Sequence, residues 1–300
     1  MTVRGRSSRR LTLSALAAVA ATFGTMALTP SAFASEHHPK GAYAPFADCP
    51  LGNSSVEDCL VASTESGEIS IGKEVVPITK AITLQGGIEH FLTESEAFVG
   101  AENGETLSKT PQKVPGGLSG LVKCNEISNF LERIACELVF ENGATGVNAI
   151  TELAGPASSV KIHAFNLLEG KGTALLLPVK VRLENTFLGS SCYVGSNSHP
   201  VNLELTTGTT SPPEPNKPIS GSPGEAELIE EGNILTIKNN VLVNNSFAAP
   251  EAEGCGGIFS FLIDPIVDSR LGLPSAAGHN KAILKGKQEI ADAEAVKASE

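Results

Sequence analysis

The sequence predicts a mainly β chain, an antiparallel β-sandwich or barrel with one short amphipathic helix and room for a duplicated β unit. Three observations lead there. Apolar and polar residues alternate in many short runs, the period of a half-buried strand. Gly, Asn and Pro separate these runs, and with 30 Gly and 18 Pro in 300 residues the chain has the punctuation of an all-β fold. A single stretch, 125–140, carries apolar residues at helical spacing: Ile127, Phe130, Leu131, Ile134 and Leu138.

Residues 1–34 come first and read as a secretory signal peptide. Arg4, Arg6, Arg9 and Arg10 form a basic start, and no charge follows from Leu11 to Ser35. Leu11–Leu28 is rich in Leu, Ala and Val, Pro30 stops any helix, and Ala32-Phe33-Ala34 supplies the small residues of a cleavage site. Ser8-Arg9-Arg10-Leu11 resembles the opening of a twin-arginine signal, with Thr12 where a large apolar residue is usual, so general and twin-arginine export both fit. Residues 35–47 read as a flexible leader, 48–290 as the β region and 291–300 as a C-terminal tail. No later run is long and apolar enough to span a bilayer.

Along the β region, Glu68–Ile71, Lys80–Leu84, Val147–Leu153 and Val160–Phe165 have strand patterns. Ala174–Asn185 sets Val179, Val181 and Leu183 against Lys180, Arg182 and Glu184, and Val201, Leu203 and Leu205 alternate with Asn202 and Glu204. Ile234–Lys238 and Val241–Phe247 read as a hairpin across Asn239-Asn240. Ile258–Ile263 is a continuous apolar run and reads as a buried strand. Ser211–Gly224 holds five prolines and reads as a stiff connection. At an offset of 101 residues, Pro77-Ile78 repeats as Pro178-Val179 and Leu118-Ser119-Gly120 as Ile219-Ser220-Gly221. The β region is therefore either one domain or two halves, 48–144 and 145–290.

The six cysteines, Cys49, Cys59, Cys124, Cys136, Cys192 and Cys255, all follow the leader. An even number in an oxidising compartment predicts disulfides, and sequence proximity suggests Cys49–Cys59, Cys124–Cys136 and Cys192–Cys255 among the 15 possible pairings. A continuous helix from Cys124 to Cys136 would hold that pair about 18 Å apart, too far to bridge. The geometry of that pair therefore stays open.

Composition narrows function. The chain has 22 Lys and Arg against 33 Asp and Glu, a net charge of −11. Loss of residues 1–34 removes four arginines and no acid, leaving −15. Such a chain repels phosphate backbones, so no nucleic acid is expected as partner. With no Trp and only Tyr43 and Tyr193, it lacks the stacking platforms of sugar and single-strand binders. There is no G-x-S-x-G elbow, no calcium loop and no paired-histidine motif. His90, His163, His199 and His279 stand apart; a hydrolase would need one of them, His163 or His199 above all, to meet a Ser and an acid in space.

One sharp chemical feature remains. Cleavage after Ala34 would start the chain Ser35-Glu36-His37. A free amine, two amides and a third-residue imidazole suit square-planar Cu(II) or Ni(II). Otherwise no cofactor is expected. The reading that absorbs most of these features is an exported, disulfide-stabilised, non-catalytic β-scaffold of the bacterial cell surface or its surroundings, with a surface or protein partner. The alternatives are a hydrolase with a dispersed site, or metal handling by the amino terminus.

Overall fold

Among the described residues the alternating runs pair into two antiparallel sheets of seven strands each. The computed structural model describes residues 37–93, 96–118, 127–136 and 146–300. In the first sheet β1 (Asp58–Ile71) and β14 (Lys281–Asp292) lie side by side at the centre. β12 (Ile234–Asn244) and β11 (Glu225–Ile229) extend it past β14, while β3 (Ile82–Glu89) and β4 (Ala97–Gly100) extend it past β1. β2 (Glu74–Ile78) turns back onto the second half of β1.

The second sheet is built on β8 (Leu175–Glu184). It pairs with β6 (Asn148–Leu153), which carries β5 (Gln112–Lys113), and with β9 (Tyr193–Val194), which carries β13 (Ala252–Glu253). β7 (Lys161–Ile162) and β10 (Val201–Leu205) pair with the first half of β8. The first sheet draws strands from both ends of the β region, and all described residues belong to one compact unit.

Alternation decides which side chains enter the core. Leu177, Val179, Val181 and Leu183 of β8 and Val201, Leu203 and Leu205 of β10 are buried, as their spacing predicts. They meet Leu60, Ile82, Leu84, Ile88, Leu242 and Leu284 of the facing sheet in one apolar cluster. A smaller cluster gathers Phe46, Ile234 and Val296 around the Cys49–Cys59 disulfide.

Several elements differ from their sequence readings. Asn239-Asn240 is not a hairpin turn. β12 runs through it, and both halves pair with β14, so Asn239 takes its positive φ of 56° in a bulge, where the register slips between Ile237 and Asn240. Val160–Phe165 yields only β7 before the chain enters the short helix α2 (Ala164–Glu169). Ile258–Ile263 is not a strand: a 3-10 turn over Gly257–Phe259 leads into helix α3 (Ser260–Leu271). Its buried residues, Ile263, Ile266, Val267 and Leu271, repeat at helical spacing, which the continuous apolar run upstream hides.

The segment read as the single helix supplies α1 (Phe130–Cys136), and the rest of its span lies outside the described residues. Residues 41–46 form a 3-10 turn with Phe46 buried, so the chain is docked before Ala47. Residues 291–300 complete β14 and form α4 (Ala293–Ala298), with Val296 buried. Ser211–Gly224 contains no strand or helix and is pinned where Asn216 Nδ2 donates to the carbonyls of Asn245 and Asn280.

Candidate functional site

The predicted sites separate in space. Cys49–Cys59 and Cys192–Cys255 are disulfides, with α-carbons 5.5 and 4.0 Å apart. Cys124 and the side chain of Cys136 lie outside the described residues, as do Ser35 and Glu36 of the amino-terminal metal set. The ring of its third member, His37, is largely buried between two carboxylates. Its Nε2 lies 3.1 Å from Glu102, and its Nδ1 contacts Glu300. Among the described residues no group of three or more His, Cys, Asp or Glu is placed to hold a metal ion.

His163 precedes α2, and its backbone carbonyl, not its ring, engages that helix. The ring of His199 faces an open cleft of about 380 Å³ that Ser196, Glu251 and Glu253 also line. Its Nδ1 lies 3.2 Å from Ser198 Oγ, an exposed sequence neighbour. No hydrogen bond or ion pair joins either glutamate to this ring among the described residues. Among the described residues the imidazole therefore has a hydroxyl neighbour but lacks the acid that would orient it as a base.

The interior offers little space. Two apolar cavities of about 50 and 60 Å³ lie side by side between the sheets and share Ile69, Ile82 and Thr151 in their walls. A cavity that admits benzene needs roughly 150 Å³, so neither has room for an acyl chain. Glu74 lines the first, and burial pushes its carboxyl above the ordinary value against the opposing pull of Arg270.

The most constructed region is the loop before α3, Ala252–Gly257. Cys255 ties it to Cys192, and both sulfurs belong to the main core cluster. Asp268 accepts from Ala252 N at 2.7 Å, and Asp264, one turn earlier on the same helix face, accepts from Gly254 N and Cys255 N at 3.2 and 2.7 Å. Burial raises both carboxyls, and these backbone donors pull them back down. The spacing Asp-x-x-x-Asp reads naturally as a solvated pair; instead both side chains fasten the loop.

Glycine is required here twice over. Gly254 and Gly256 have φ of 74° and 76°. A Cβ on Gly254 would lie 2.3 Å from Ser191 O, and one on Gly256 would lie 2.6 Å from Ile263 Cγ1.

What this loop carries is apolar and points outward. Ile258 is 86% exposed, Phe261 71% and Phe259 55%. Helix α1 lies against α3 and adds Phe130, Leu131 and Ile134, all exposed. Arg133 stacks its guanidinium 6.0 Å from the Phe130 ring. The sequence pattern reads Ile258–Ile263 as a buried strand and the Phe130 set as one face of an amphipathic helix. Helical spacing from Ile263 onward was the available signal that Ile258 and Phe261 face away from the core.

Comparison with known proteins brings no relative to this arrangement: no family model, no curated protein and no solved structure matches the chain.

Proposed function

We propose that the chain is an exported, non-catalytic β-scaffold of the bacterial cell surface or extracellular medium, acting through contact and not through a reaction. The observation that carries this reading is the Cys192–Cys255 bridge. It lies wholly buried in the main core and joins the residue before β9 to the loop after β13, the edge strand that β9 carries. A disulfide in that position belongs to a fold matured in an oxidising compartment, and cytosolic thiol pools would oppose it. The basic, apolar and small-residue order of residues 1–34 supports the same destination.

Support for the non-catalytic part comes from the histidines. His199 has a hydroxyl neighbour without an acid, and the ring of His163 takes no part in holding α2. No helix among the described residues is long and apolar enough to cross a membrane.

The test is to express all 300 residues in a bacterial host and weigh the protein found in the medium. The expected product begins at Ser35. Chain retained in the cells with residues 1–34 intact would overturn the reading.

A further inference from the structure

We propose that the exposed apolar face of α1 and α3 is a docking surface for a second copy of this chain, across a two-fold axis. This rests on the surface alone and is independent of whether the chain is exported. Phe130, Leu131 and Ile134 on α1, Ile258 and Phe259 in the 3-10 turn before α3 and Phe261 on α3 are 45–86% exposed, and α1 lies against α3. At roughly 150–250 Å² for a large side chain, the area they leave in water is on the order of 700 Å². That exceeds the usual apolar patch of a monomer, about 300–600 Å², and approaches the roughly 800 Å² per partner that a stable interface needs.

The face is also held ready. Ile258 follows a loop locked by a disulfide, two aspartates and glycines at positive φ, so little conformational entropy is lost when it is covered. An isologous contact sets this apolar centre against its own copy, with no need for complementary charge.

Charge argues against polyanionic occupants. The chain carries a net charge of −11, or −15 without residues 1–34, while α1 itself sets Glu132 beside Arg133. Anionic lipid and polyanions are repelled. Two copies also repel, but through exposed charges that salt screens over about 10 Å at 0.1 M, while apolar burial is unaffected. Association between copies therefore tightens as salt rises, opposite to a contact driven by charge.

Sedimentation equilibrium of the purified chain tests this. The expected result is a dimer whose dissociation constant falls as NaCl is raised. Ile258→Ser with Phe261→Ser should raise that constant about 100-fold, the size expected for central apolar anchors, and should leave the melting temperature of dilute, monomeric chain unchanged. Phe130→Ser with Leu131→Ser is the second variant and should act in the same direction. A monomer at about 100 µM would overturn the proposal. So would a dimer that survives both variants, or a monomer that floats with phosphatidylcholine vesicles and so takes lipid on this face.

Discussion

Asp58 stands directly across β1 and β14 from Asp292. Burial, and then the charges of Asp292 and Glu57, push its carboxyl from 3.8 up to about 6. The folded state thus holds a proton that the unfolded chain releases, and stability falls as pH rises from about 4 to 6, after which the penalty is constant. Asp58→Asn should therefore raise stability at pH 7 and leave it nearly unchanged at pH 4. After discounting for the solvent that still reaches the carboxyl, the gain is about 1 kcal/mol, a few degrees in a thermal melt. An equal gain at both pH values would contradict the assignment. Gly256 gives a second residue-level test. Alanine there meets a positive φ and the Ile263 side chain together, so Gly256→Ala should cost about 2–4 kcal/mol in urea unfolding. The amino-terminal metal set offers a third, since Glu300 holds the His37 nitrogen that Cu(II) would take. Glu300→Gln should tighten Cu(II) binding to chain that starts at Ser35, and equal titrations would contradict that set.

At the scale of elements, what the loop before α3 does depends on its fastening. Cys192→Ser with Cys255→Ser opens a 63-residue separation and should lose about 4 kcal/mol, against about 3 kcal/mol for Cys49→Ser with Cys59→Ser. A smaller loss for the longer loop, measured by thermal unfolding, would mean that the core holds this edge without the bridge. Elements differ in how openly the sequence declares them. β8 and β10 were legible residue by residue, because strict alternation means one face in water and one in the core. The start of β1 was hidden by Ser63, Thr64 and Ser66. It is a strand because β3 and β14 pair with its backbone on both sides, and that depends on distant partners. α3 was missed because Ile258–Ile263 has no period, and Pro265 argues against a helix interior. The candidate surface was unreadable for the same reason. A helical stripe such as Phe130, Leu131 and Ile134 announces that it needs cover, and nothing local says whether the cover comes from its own chain.

At the scale of the molecule, the two sheets close on a core in which the two apolar cavities between them are small, about 50 and 60 Å³. A lipid carrier would keep its hydrophobic volume inside; here the uncovered apolar area is outside, on α1 and α3. Native mass spectrometry should accordingly find the chain free of bound lipid, and a co-purifying acyl chain at one per protein would contradict the packing. A β-scaffold held by buried bridges formed in an oxidising compartment should yield, on non-reducing peptide mapping of the protein from the medium, peptides joined Cys49 to Cys59 and Cys192 to Cys255. Free thiols at Cys192 and Cys255, or either residue bridged elsewhere, would contradict it.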